Sequence, residues 1–124
     1  MSLALNEEER MLKDAAHAFF QEKLPVGALR ALRDAGDAAG FDRAAWAEMA
    51  GLGWPGILVP EEHGGVGFGY RGLGLVLEEA GRTLAASPLV STALIGAPLL
   101  LATGSAAQKD ALLPAIAAGE CVVA

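Results

Sequence analysis

Residues 83–108 read TLAASPLVSTALIGAPLLLATGSAAQ, and none of these 26 positions carries a charge. A helix that spans a membrane needs about 20 consecutive apolar residues. The continuous apolar part, residues 93–102, is shorter and contains Gly96 and Pro98, so we interpret the stretch as belonging to a globular domain. A helix that is apolar on all sides is typically buried on all sides. The stretch therefore predicts a central helix enclosed by other helices.

Small residues recur along this predicted helix and are expected to leave room beside it. Two interpretations of that room stay open: plain helix–helix packing, or one wall of a slot for a long apolar ligand. The small residues are Ser91, Thr92, Ala93, Gly96 and Ala97.

Cap signals on both sides of this stretch divide the chain into helices. Ser87-Pro88 predicts the start of the central helix, because serine caps helices and proline fits their first turn. Asn6 and Ser105 each precede a Glu or Gln by three residues, the pattern of a capping box, and Asp42 is a further cap. Helix ends are predicted at Pro25 and at several glycines. Together, these starts and ends predict an all-α fold, an irregular bundle of about six helices. The glycine stops lie at Gly36–Gly40, Gly51, Gly104 and Gly119.

Two segments depart from the helical pattern. Residues 54–60 (WPGILVP) predict an extended, buried linker, followed by a glycine-rich loop over 61–69. Residues 121–124 (CVVA) resemble the opening of a β-strand, which is not a natural end for a domain. We therefore expect a helical domain over 1–120, the start of a middle β-domain at 121–124, and a native chain that continues further.

Composition limits the function classes. The net charge is −6 and the pI about 4.8, which disfavours nucleic acid and anionic membranes as partners. Hydrophobic residues make up 53% and charged residues 19%, so some apolar surface is expected to face a partner or a further domain. A single cysteine, Cys121, excludes an internal disulfide. The N-terminus lacks the order of a signal peptide, which predicts a cytoplasmic protein.

Several local patterns are interpreted as structural. The sequence GFGYRG at 67–72 matches the dinucleotide-binding pattern G-x-G-x-x-G, but no strand is predicted directly before it. His17, His63 and Cys121 have no second ligand or base at a suitable spacing, so neither a metal site nor a nucleophile is predicted. Of the neighbouring carboxylates Glu78 and Glu79, one is expected in solvent and the other paired with Arg82.

Taken in order, the motifs resemble the N-terminal helical domain of acyl-CoA dehydrogenases over nearly all of the chain. The loop P-E-E-x-G-G-x-G is the most specific element. The motifs are Glu7-Glu8, Trp46, Leu52-Gly53-Trp54, Val59 to Gly67, Leu77 to Arg82, Gly104-Ser105, Gln108-Lys109, Leu113-Pro114 and Ala118 to Glu120.

The resemblance implies a parent enzyme in which FAD accepts a hydride from an acyl-CoA while a carboxylate base removes the α-proton. It also implies a middle β-domain, a C-terminal helical bundle, homo-oligomers and an electron-transfer flavoprotein as electron acceptor. The base and most flavin contacts lie outside this domain in the family, so this chain alone is expected to be inactive and to bind no flavin. In the family, the helices after the glycine loop form one wall of the acyl-chain slot, so the resemblance makes Ser91, Thr92 and Ile95 the candidate lining residues.

Two other function classes stay open: a flavin-dependent oxidase or monooxygenase with the same architecture, and a helical binding or assembly domain without chemistry. The sequence also predicts three properties that can be measured. The chain should self-associate through its apolar face. Ile95→Asp should cost several kcal/mol by burying a charge. Gly96→Leu should add bulk to the room beside the central helix.

Overall fold

The computed structural model describes residues 3–124, so the first two positions of the expected 1–120 domain lie outside the described residues. Within them the fold is all-α, as predicted. The α-helices are α1 (Glu7–Lys23), α2 (Val26–Ala35), α3 (Arg43–Gly51), α4 (Tyr70–Arg82), α5 (Ala97–Thr103) and α6 (Ala106–Ala117), with a short 3₁₀ turn at Glu61–His63. A π-helical segment, Val90–Gly96, runs directly into α5.

The predicted caps fix the helix starts. Asn6 and Ser105 both form complete capping boxes, with Glu9 and Gln108 respectively. The Asp42 carboxylate accepts hydrogen bonds from the N–H groups of Ala44 and Ala45. Each of these side chains satisfies backbone donors that a helix start otherwise leaves unpaired.

The larger core lies where α1, α3 and α4 meet. Phe19, Phe20 and Trp54 form a cluster of rings with centroids 5.2–5.5 Å apart. Aromatic side chains bury large apolar areas and favour such edge-on contacts. Residues 54–60 are buried as predicted but are not extended: Ile57 and Val59 donate to Trp54 and Gly56 in successive tight turns. These turns let a short segment fill the space beside the ring cluster.

A smaller core joins α5 and α6 to the turn segment. Val59, Ala97, Leu113, Ile116 and Ala117 form its buried centre. Close backbone approach holds it together: a Cβ on Gly56 would lie 2.8 Å from the Cβ of Ala117. Near the end of α6, the Trp46 indole donates to the carbonyl of Gly119 at 3.0 Å. The position of α6 is therefore set from two sides.

Residues 121–124 follow α6 as an extended tail without a strand partner among the described residues. The tail returns across the π-helical segment, where Val123 contacts Thr92 and Gly96. The start of a β-domain at 121–124 stays a prediction.

Candidate functional site

The helix predicted to be central is buried on one face only. Thr92, Ala93, Gly96 and Ala97 are buried. Val90, Ile95 and Leu99 are exposed, Ile95 by 57%. The expectation of burial on all sides is therefore wrong within residues 3–124, because the described helices cover a single side of this element.

The three exposed side chains share one face because of the change in helix type. A π-helix bonds residue i to residue i+5, whereas an α-helix bonds i to i+4. Val90 and Ile95 are five apart in the π segment, and Ile95 and Leu99 are four apart across its junction with α5. Pro98 stands at this junction, and in an uninterrupted α-helix its ring would clash with the carbonyl of residue 94. We call Val90, Ile95 and Leu99 the outer row.

The candidate residues Ser91, Thr92 and Ile95 do not converge on one point. Ser91 is half-buried, and its hydroxyl donates to the carbonyl of Pro88 at 3.2 Å. Thr92 is fully buried, with its hydroxyl bonded to the backbone of Val123. Ile95 points outward with the outer row. Thr92 therefore cannot contact a ligand in this arrangement, whereas Ser91 and Ile95 remain accessible.

The space that a side chain on Gly96 would need is already occupied. A Cβ on Gly96 would lie 2.9 Å from the Cβ of Val123 and 3.1 Å from the carbonyl oxygen of Ser91. Here the small residue serves close packing of the tail against the helix. Gly96→Leu would displace the tail, so that substitution is not a clean probe of a slot.

Two open grooves flank the tail. The first, of about 360 Å³, is lined by Pro88 and Ser91 near the start of the π-helical segment, by Val122 and Ala124 of the tail, and by Phe41 among others. We call it the tail groove. The second, of about 340 Å³, is mostly apolar and lies between α5 and α6; it is lined by Gly96, Leu99, Leu100, Thr103, Gly104, Gln108, Leu112 and Val123.

The carboxylate of Glu79 is the most deeply buried charged group among the described residues, with its side chain 2% exposed. It accepts a hydrogen bond from His17 Nδ1 at 2.8 Å and pairs with Arg82 Nε at 3.2 Å. Burial alone would raise the pKa of Glu79. The His17 hydrogen bond, with the charges of Arg82, His17 and Lys13, outweighs burial and lowers the pKa below its usual value.

The pairing of Glu79 with Arg82 was predicted, and Arg82 also contacts the exposed Glu78 at 3.3 Å. The His17 contact was not predicted, because 62 positions separate the partners and no local pattern links them. The group joins α1 to α4 and lines neither of the two grooves beside the tail.

The other sequence candidates take structural positions. His63 lies 3.7 Å from Asp110, and residues 3–124 contain no cluster of three His, Cys, Asp or Glu side chains that could hold a metal. A Cβ on Gly72 would lie 2.1 Å from the Phe68 ring, so the third glycine of the G-x-G-x-x-G match accommodates a side chain rather than a phosphate. No helix in the described part of the chain is long and apolar enough to cross a membrane.

Comparison with known proteins identifies the domain. Residues 6–120 match the family description "acyl-CoA dehydrogenase, N-terminal domain". The mitochondrial isovaleryl-CoA dehydrogenase of Pongo abelii is 34% identical over 120 residues, which cover 95% of this chain and 28% of that protein.

Solved structures show the same helical arrangement. A variant of the Tcur3481-Tcur3483 steroid ACAD superimposes with a TM-score of 0.80 at 36% identity, covering 91% of this chain and 30% of that one. A chain in the structure of the electron transferring flavoprotein of Acidaminococcus fermentans gives 0.78 at 29% identity, covering 98% and 32%. The chain thus spans about a third of these relatives' length. It belongs to the acyl-CoA dehydrogenase family and corresponds to that family's N-terminal helical domain.

Proposed function

We propose that this chain is the N-terminal domain of an FAD-dependent enzyme that introduces a double bond between the α and β carbons of an acyl-CoA thioester. Its own contribution is one wall of the slot that holds the acyl chain, together with a packing surface for the rest of the protein. The observation that carries the proposal is the outer row, an apolar and accessible face on a helix without a single charged residue.

An alkyl chain offers no group that a polar wall could bind. It gains free energy only by leaving water, about 25 cal/mol per Å² of apolar surface. Val90, Ile95 and Leu99 present apolar surface for that purpose, and Ser91 adds a small side chain whose hydroxyl is already paired with the backbone. These residues hold the chain and exclude water, and we assign no proton transfer to them.

The glycine-rich loop contains no cradle for a pyrophosphate, since the Phe68 ring occupies the space that Gly72 leaves open. We therefore assign flavin binding and the catalytic base to other parts of the complete protein. The likeness to a chain in an electron transferring flavoprotein structure supports such a protein as electron acceptor in general terms. We expect the complete enzyme to be a homo-oligomer.

The activity is tested by titrating the complete protein with acyl-CoA thioesters of increasing chain length without oxygen. We expect the oxidised flavin absorbance to bleach with at least one of them. A flavin that no acyl-CoA reduces would contradict the proposed dehydrogenase.

The slot is tested separately with Ile95→Trp. Added bulk in the outer row should reduce kcat/KM for long acyl chains about tenfold more than for short ones, the range expected for steric changes in an apolar pocket. Leu29→Trp, at an exposed leucine on α2, is the matched control and should leave the ratio unchanged. An equal loss at all chain lengths in Ile95→Trp would remove the slot assignment.

A further inference from the structure

A single side-chain oxygen holds the tail of the domain against the π-helical segment. Thr92 Oγ1 accepts a hydrogen bond from the N–H of Val123 at 3.0 Å and donates one to the carbonyl of the same residue at 3.3 Å. Residue 123 therefore has both backbone groups satisfied by one threonine, as a neighbouring strand would satisfy them. Thr92 is completely buried, so its hydroxyl has no access to solvent, and Val123 is partly buried.

The side chain of Val123 is fixed as well. It packs over Gly96, where a Cβ would come within 2.9 Å of the valine Cβ. Gly96 lies one turn beyond Thr92 on the same buried face of the helix. Backbone and side chain of one tail residue are thus held by two positions of the helix.

The immediate neighbours of this contact line the tail groove. Ser91 precedes Thr92 on the helix, Val122 and Ala124 flank Val123 on the tail, and all three line the tail groove. The Thr92–Val123 contact therefore sets the positions of lining residues on the two segments relative to each other.

We propose that Thr92 is a positioning residue that selects acyl groups by width, because it holds the tail against the helix and keeps the tail groove narrow. This inference rests on the proposed function, with the acyl group reaching Ser91 and the tail groove that Ser91 lines. Thr92 itself does not touch the substrate. Loss of its hydroxyl should admit branched acyl groups more readily.

The experiment compares Thr92→Val, which keeps the shape and removes the hydroxyl, with Thr92→Ser, which keeps the hydroxyl. The substrates are pentanoyl-CoA and its branched isomer 3-methylbutanoyl-CoA, which have the same atoms and differ in width. In the complete protein, Thr92→Val should raise the branched-to-linear ratio of kcat/KM several-fold, and Thr92→Ser should restore it. Thr103→Val is the matched control, since the Thr103 hydroxyl bonds only within its own helix, to Leu99.

Amide hydrogen exchange at Val123 provides a readout independent of turnover. Loss of the hydrogen bond should speed this exchange about fivefold in Thr92→Val, but not in Thr92→Ser or Thr103→Val. If Thr92→Val fails to fold, Gly96→Ala displaces the tail from the other contact and should shift the substrate ratio in the same direction.

The possible outcomes distinguish the positioning role of Thr92 from the proposed dehydrogenase activity. Faster exchange with an unchanged substrate ratio overturns the positioning role and leaves the proposed dehydrogenase intact. Unchanged exchange in Thr92→Val shows that the contact does not hold the tail, which also overturns it. If the complete protein oxidises no acyl-CoA, the proposed function has failed, and the selection proposal fails with it whatever the exchange rates show.

Discussion

At the scale of single residues, the buried carboxylate of Glu79 is the charged group whose loss should change the free energy of unfolding most. Glu79→Gln removes the charge and replaces one of the two accepting oxygens, which pair with His17 and Arg82, by an NH2 donor. We expect the free energy of unfolding to fall by about 1–3 kcal/mol at pH 7. Glu78→Gln is the control, because that carboxylate is half exposed and such pairs contribute little. Urea unfolding of the three proteins measures the difference, and equal stabilities would contradict it.

The pH dependence of this difference follows from the lowered pKa of Glu79. A carboxyl whose pKa is lower in the folded than in the unfolded state stabilises the fold above its ordinary value of 4.5. This contribution is lost as the pH falls through the lowered pKa. The gap between wild type and Glu79→Gln should therefore shrink as the pH falls below about 4.5, and a gap that stays constant or widens there would refute the assignment.

Leu84 is a second residue whose effect on the free energy of unfolding can be tested, because its backbone conformation is strained. It ends α4 in a left-handed conformation, φ 54°, in which its N–H bonds Gly81 and the next N–H bonds Ala80. Glycine normally occupies this position because a side chain is strained there. Since Leu84 is 59% exposed, Leu84→Gly should raise the free energy of unfolding by about 0.5–1 kcal/mol. Leu52→Gly, at an exposed leucine with ordinary φ, should lower it instead. Thermal unfolding distinguishes the two signs.

At the scale of elements, the sequence predicted hydrogen bonds between residues that are close in the chain, but not contacts between residues that are far apart in it. The caps at Asn6, Asp42 and Ser105 follow from hydrogen bonds within three residues, so the sequence alone predicted them. The contact between Thr92 and Val123 spans 31 positions and depends on where α6 returns the chain. No periodicity in the sequence predicts this contact. For the same reason the sequence did not show that Val123 packs against Gly96.

The π-helical segment shows why hydropathy alone gave the wrong burial for the predicted central helix. An uncharged sequence predicts burial, but it does not say whether the cover comes from residues 3–124 or from elsewhere in the protein. Ile95→Asp should therefore change the stability of the isolated chain by less than about 0.5 kcal/mol, because the side chain is exposed. From the sequence alone, the same substitution was expected to lower the free energy of unfolding by several kcal/mol.

Ala93→Asp is the matched comparison on the same segment. Ala93 is fully buried against the larger core, so an unpaired charge there should cost several kcal/mol or prevent folding. Chemical denaturation of both variants tests the orientation of the whole segment. Similar losses for the two would show that the outer row is not on the surface of the isolated chain.

At the scale of the whole molecule, exposed apolar side chains gather around the tail. Leu99 and Leu112 line the groove between α5 and α6, and Val122 lines the tail groove. Ile95 and Val90 continue this surface along the outer row. Adjoining apolar side chains of this kind mark surfaces that other protein normally covers. The relatives are about three times longer than this chain, and we expect the remainder of the protein to provide the cover.

The isolated chain should therefore associate with itself through this face and bind a hydrophobic dye. Leu99→Lys combined with Leu112→Lys places two charges on the apolar groove and should lower both dye binding and the mass measured by light scattering. Leu29→Lys together with Val26→Lys alters charge equally on α2, whose apolar residues lie outside both grooves, and should leave association unchanged. If both pairs of substitutions reduce association alike, the effect comes from net charge, and the face around the tail has no special role.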